Sequence, residues 1–202
     1  MSEADRSKWN ARYAQGAYAD RTHPGAYLTA CLAQLPPVEG SFALDVACGA
    51  GRNSLYLAQQ GYVVDAVDIA EEGLRRLAAQ AEPADVAITT HAMDLDAITS
   101  GAARLPRDSY ALIIMFRYVD MDLLSQLTGM LVPGGHIIVE EHLRTTLDVI
   151  GPSSPRFRVA PGALQHSMED NGMVVRHSYE GVVEEPDGSA AALAQIWAMR
   201  AT

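Results

Sequence analysis

The chain has 202 residues, 49% hydrophobic and 6% aromatic, enough for one α/β domain with a sizeable core. A formal net charge of −10 argues against a general binder of nucleic acid or anionic membranes, and no apolar run is long enough to span a bilayer. The polar, acidic opening Met1-Ser2-Glu3-Ala4-Asp5 is unlike a secretory leader, and two cysteines, Cys31 and Cys48, supply neither a disulfide framework nor zinc spacing, so no metal site and a cytoplasmic setting are expected.

Residues 1–40 read as an N-terminal arm, with Trp9, Tyr13 and Tyr18 set among polar residues. Such a segment either packs on the core or covers a ligand. A helix is expected from Pro24 to Leu35, with Pro24 in its first turn and Pro36-Pro37 ending it. Ala43-Leu44-Asp45-Val46 is a short apolar run that reads as a buried strand. It enters the small-residue loop Ala47-Cys48-Gly49-Ala50-Gly51, where glycine lets the backbone turn sharply and a ligand approach closely. Ser54 to Gln60 reads as a helix capped by Gly61, and Tyr62 to Val67 as a second strand ending in Asp68. Together these form a βαβ unit whose loop lies at the carboxyl edge of a parallel sheet. A carboxylate at the end of the second strand suits the paired hydroxyls of a ribose.

Farther along, Glu71 to Ala81 carries Leu74, Leu77, Ala78 and Ala81 at helical spacing, with Glu71 and Glu72 favourably placed in the first turn. Val86 to Thr90 is a third strand, leading to Met93-Asp94-Leu95. Tyr110 to Met115 is apolar throughout, as a central parallel strand should be, and runs into Phe116-Arg117-Tyr118. A helix over 120–131 and the turn Val132-Pro133-Gly134-Gly135 precede a fifth strand, His136 to Glu141, with His142 at its mouth. The long connection from Leu143 to Val159 carries Arg144, Arg156, Phe157 and Arg158 at the edge where ligands bind. A helix begins at Pro161 and ends at Gly172, and strands are expected over Val174–Tyr179 and Leu193–Met199, separated by a solvated turn at Glu184-Glu185-Pro186-Asp187-Gly188.

Two adenosine-bearing ligands suit the glycine loop. For NAD(P), the third glycine is missing because Ser54 stands there, and a buried Asp45 would repel a pyrophosphate. S-adenosylmethionine carries no phosphate, and offers a sulfonium and an amino group to that carboxylate. Leu44 to Asn53 resembles motif I of class I S-adenosylmethionine-dependent methyltransferases. The continuation Gly51-Arg52-Asn53-Ser54-Leu55-Tyr56-Leu57-Ala58 and then Gly61 to Asp68 is most similar to the tellurite-resistance, TehB-like subgroup.

The resemblance implies a Rossmann-like, doubly wound, seven-stranded and mostly parallel sheet with helices on both faces. It implies one domain, 1–202, with 1–40 as a helical lid and 41–202 as the core. The cofactor would be held by Asp45, Ala47, Cys48, Gly49, Gly51 and Asn53 in the first motif, Asp68 and Ile69 at the ribose, Asp94 and Leu95 at the adenine, and Phe116 beside the methionine portion. Arg21 would take the cofactor's carboxylate and Tyr13 would wall the methyl site. Asp94 alternatively caps a turn.

Arg117 and His142 are the catalytic candidates, His142 as a base for a hydroxyl or amine acceptor. A thiolate, selenolate or tellurium oxyanion would need only placement. The sequence departs from the subgroup at Ala163, where a glutamate is usual, and lacks the N/D-P-P-Y of base methyltransferases. The expected activity is methyl transfer to a small molecule, by a monomer or homodimer, without nucleic acid or membrane. The competing readings are a non-catalytic S-adenosylmethionine-binding regulator and an NAD(P)-dependent oxidoreductase.

Overall fold

The computed structural model describes residues 3–36 and 39–202. Met1, Ser2 and Pro37, which entered the expectations above, lie outside that description. Seven strands form one sheet: β1 (Phe42–Val46), β2 (Val63–Asp68), β3 (Ile88–Ala92), β4 (Tyr110–Phe116), β5 (Leu131–His142), β6 (Met173–Glu184) and β7 (Ala190–Arg200). Their spatial order is β3-β2-β1-β4-β5-β7-β6. Pairing is parallel from β3 to β5, and β7 alone runs against its neighbours.

The crossovers are helical, as parallel pairing requires. The helices are α1 (Glu3–Ala14), α2 (Ala26–Leu32), α3 (Arg52–Gln59), α4 (Glu71–Ala84), α5 (Leu95–Thr99), α6 (Met121–Gly129) and α7 (Ala163–Asp170). Alternate side chains of the central strands feed two cores. One packs Leu44, Val46, Ile113, Met115 and Val139 with Leu123, Leu127, Leu164 and Met168 of α6 and α7. The other packs Ala43, Val64, Ala66, Leu112 and Ile114 with Leu28, Leu57 and Leu77 of α2, α3 and α4. Strands buried on both faces explain why 110–115 carries no polar alternation. No helix among the described residues is long and apolar enough to cross a membrane.

Several boundaries differ from those the sequence suggests. The second helix covers only Ala26–Leu32. The turn Val132 to Gly135 is absorbed into β5, with a register shift opposite Tyr110 and Leu112. Gly135 fits there because a Cβ would come within 2.8 Å of the Val132 carbonyl. The last two strands extend well beyond 174–179 and 193–199. Ala190 to Ala194 and Gly181 have weak intrinsic strand preference, but β7 is paired on both sides, and pairing overrides propensity. The long 143–159 connection is tied down by Arg158, whose guanidinium donates to the carbonyls of Pro152 and Leu143 at 2.8 and 2.9 Å.

Away from the carboxyl edge, Asp65 is a buried polar centre. It accepts from Arg107 at 2.7 Å, contacts His91 Nε2 at 2.9 Å and accepts from the Tyr110 hydroxyl at 3.3 Å. Removing one partner of a buried network strands the others. Asp65→Ala is therefore expected to lower unfolding stability by about 2 kcal/mol in a urea titration followed by circular dichroism, while Asp148→Ala, on the exposed connection after β5, leaves the midpoint unchanged.

Candidate active site

At the end of β1 the backbone turns through three left-handed residues, Ala47 (φ 56°), Gly49 (φ 59°) and Gly51 (φ 79°). Ala47 carries a Cβ in a conformation that disfavours one, a strain typical of ligand-binding loops. The turn is fixed at both ends. The Asp68 carboxylate accepts the Gly49 N–H and the Ala70 N–H, each at 2.8 Å, and the Cys48 N–H donates to the Val67 carbonyl at 3.0 Å. Gly51 has no room for a side chain, since a Cβ would sit 2.3 Å from Leu77 of α4. Asp68 is therefore both the residue at the expected ribose position and the clamp on the loop.

Asp45 lies beneath the loop, 2% exposed, with the Ser54 hydroxyl donating to it at 2.6 Å. Burial pushes its pKa up to about 7, against the opposing bond from Ser54. Ser54 occupies the third-glycine position of the dinucleotide pattern, and its role as the partner of Asp45 was not read from sequence. Asn53 is buried and accepts the Gly25 N–H at 2.9 Å, and Phe116 packs against Gly25. Both hold the start of α2 over the loop. Cys48 is half-buried, with its thiol pKa pushed up by burial and then by Asp45 and Asp68.

Helix α1 lies across the loop and α4. Tyr13 is buried, and a Cβ on Gly49 would sit 2.4 Å from its hydroxyl. Its pKa is raised by burial and then by Asp68 and Cys48. Tyr13 thus covers the glycine loop beside Asp68. Trp9 stacks on it at 6.1 Å, Asn10 accepts the Glu72 N–H at 2.9 Å and Arg76 donates to the Ala17 carbonyl at 3.0 Å. At the other end of the loop region, Ile69 and Leu95 are buried apolar walls. Asp94 caps α5, accepting the Asp96 N–H at 3.0 Å.

The carboxyl ends of β4 and β5 carry a dense polar cluster. Arg117, in a left-handed conformation (φ 64°), donates to Glu140 at 2.9 Å and to Glu185 at 2.7 Å. Glu140 is held in turn by Gln195 at 2.7 Å. The turn at 184–188, expected to be solvated, therefore sends Glu185 into the site, a contact that local polarity could not reveal. One Arg117 nitrogen lies 3.3 Å from His142 Nε2. Burial, then Arg117, Arg158 and Arg21, lower the His142 pKa to about 3. Next to it, Glu141 is fully buried, accepts the Tyr118 N–H at 3.0 Å, and has its second carboxyl oxygen unpartnered. Burial raises its pKa well above the usual carboxylate range. Arg21 stays exposed, stacked on Tyr18.

These residues fit S-adenosylmethionine. The cradle ends in a strand-terminal carboxylate, and the buried groups at its base are acids, suited to an ammonium and sulfonium and hostile to a pyrophosphate. The fold and this acid-lined loop define an α/β protein built to hold a cationic adenosyl ligand.

Residues 43–135 match the family described as "Methyltransferase domain". The fold is similar to TehB from Haemophilus influenzae (TM-score 0.71, 21% identity, 94% of this chain and 66% of that one). It is also similar to magnesium protoporphyrin IX methyltransferase (ChlM) from Synechocystis with bound S-adenosylmethionine (TM-score 0.60, 18% identity, 95% and 82%). A third similar structure comes from work described as "Conversion of a Disulfide Bond into a Thioacetal Group during Echinomycin Biosynthesis" (TM-score 0.68, 17% identity, 97% and 93%). At these identities the likeness is one of fold, and the chain spans a little under two thirds of the TehB chain. No protein of curated function matches the sequence. Over residues 43–135 the chain matches a methyltransferase domain, and its fold is the one that S-adenosylmethionine-dependent methyltransferases share, which together support S-adenosylmethionine as the cofactor.

Two outcomes follow from the loop. Asp45 binds a proton in the folded state that the unfolded chain releases near pH 4, so between about pH 4 and 7 its contribution to stability falls as pH rises. Asp45→Asn should flatten that segment of the stability–pH curve, measured by thermal unfolding in a buffer series. Gly49→Ala should push Tyr13 off the loop, and limited trypsin digestion should cut at Arg6, Lys8 or Arg12 several-fold faster than in the parent protein.

Proposed function

We propose that the enzyme methylates a small acceptor that arrives already ionised: a thiolate, a selenolate or a tellurium oxyanion. The observation that carries this reading is the Arg117 guanidinium lying 3.3 Å from the part-buried His142 Nε2, an arrangement that suppresses the basicity of the imidazole. A general base works best with a pKa near the operating pH, and an imidazole that protonates only near pH 3 is a poor acceptor of a hydroxyl or ammonium proton. The guanidinium of Arg117 beside it, oriented by Glu140 and Glu185, has N–H capacity left to donate to an acceptor anion. A fold neighbour from work on a disulfide-to-thioacetal conversion supports sulfur as the acceptor atom.

The cofactor supplies an electrophilic methyl group on a sulfonium, and the chain's task is placement. Asp68 would hold the ribose and Asp45 the ammonium, the latter more strongly as it ionises through pH 7. Asp94 and the walls Ile69 and Leu95 would receive the adenine. Gly49 and Gly51 let the backbone come close, while Tyr13 and Phe116 keep water out. Arg117, oriented by Glu140 and Glu185, would aim the acceptor anion at the methyl carbon; the acceptor's lone pair makes the new bond as the carbon–sulfur bond breaks, and no proton need move. Alignment of this kind can supply roughly 7–11 kcal/mol of the barrier reduction. We place the enzyme in the cytoplasm as one domain, monomeric or homodimeric, acting on small molecules rather than nucleic acid or membranes.

The test is S-adenosylhomocysteine formation, measured by mass spectrometry, with panels of thiols, chalcogen oxyanions, phenols and amines. Turnover with thiols should rise with the acceptor's own ionisation, and His142→Ala should leave it within about threefold. Preferred turnover of a phenol or amine that collapses in His142→Ala would reject the proposal. Cofactor binding without turnover of any acceptor would favour a regulatory protein.

A further inference from the structure

We infer that Arg52, and not Arg21, is the side chain that takes the carboxylate of the cofactor's methionine portion; the inference rests on the cofactor assignment above. Arg52 is the first residue of α3, directly after Gly51, so it stands at the rim of the glycine loop. It is half-buried. Among the described residues it makes one long hydrogen bond, 3.5 Å to the His23 carbonyl, and no carboxylate lies within ion-pair distance of it.

Three physical costs fall on this guanidinium. It is partly desolvated. It sits at the positive end of a helix dipole, where a cation is unfavourable. Arg117 and Arg21 are near enough, in that order after burial, to lower its pKa. Nearby Glu140 and Glu185 offset this only in part, because both already bind Arg117. An anion docking at Arg52 would relieve all three costs at once.

The other arginines at this edge are committed elsewhere or open to water. Arg117, oriented by its two glutamates, is assigned to the acceptor above, and Arg158 is held by backbone carbonyls. Arg144 is exposed and donates to the Arg158 carbonyl. Arg21 is exposed and lies on the Tyr18 ring, 5.1 Å from its centre. Arg52 directly follows Gly51 of the loop, and the Gly25–Asn53 bond and its own contact with the His23 carbonyl bring the 23–25 segment beside it.

The experiment is calorimetric titration with two ligands that share an adenosine and a thioether. S-adenosylhomocysteine has the amino-acid carboxylate and 5′-methylthioadenosine lacks it. Arg52→Ala should weaken S-adenosylhomocysteine by tenfold or more and leave 5′-methylthioadenosine within twofold. Arg52→Lys should fall between, and Arg21→Ala should change both ligands by less than threefold. Thermal melts of each variant check the fold, and Arg52→Lys serves if the alanine variant does not fold. Equal losses for both ligands would mean that Arg52 merely braces the 23–25 segment, and no loss for either would place the carboxylate elsewhere; both outcomes overturn the inference. Failure of the parent protein to bind S-adenosylhomocysteine at all would overturn the cofactor assignment first, and this inference with it.

Discussion

The site depends on one carboxylate receiving two backbone N–H groups. Asp68 ties Gly49 and Ala70 together at the end of β2, and so fixes the distance between the glycine loop and the start of α4. Charge-assisted bonds of this kind are strong and directional. Because Gly51 is packed on Leu77 with no space between, the same bond also sets how α3 sits on α4. Arm, loop and helix are thus positioned from a single point, and a ligand hydroxyl arriving at Asp68 enters an arrangement that is already rigid.

The first half of the sheet was legible because its signals are local. Small residues at 47–51, an acid at each of two strand ends and continuous apolar strands each have a direct physical reading, and the structure places β1, α3, β2, α4 and β4 where those readings put them. The arm's contacts were not legible, since a helix of mixed polarity carries no register against the loop it will meet; Tyr13 lies against Gly49 and Asn10 against α4. What escaped was the set of contacts made across long sequence separation. Glu185 reaches Arg117 over 68 residues, and Glu140 and Glu141 read as an ordinary strand end until burial is known. Ser54 was judged by the glycine it replaces, although its hydroxyl is what keeps Asp45 satisfied.

The transfer edge combines groups whose charges are set by one another. A guanidinium between two glutamates, a histidine of suppressed basicity and a buried glutamic acid whose pKa burial raises cannot be assigned separately. Their joint effect is a polar but weakly basic surface. It is suited to orienting an acceptor and poorly suited to activating one, which fits a reaction whose leaving group needs no proton.

The single reversed strand has a consequence for how such an enzyme can change. Because β7 runs backward, the turn joining it to β6 emerges at the same edge as the glycine loop, and Glu185 rides on that turn. The cofactor half is welded together by buried bonds. The Arg117 cluster is instead finished by a short surface hairpin, so its makeup can change at a few exposed positions while the buried glycine loop stays intact.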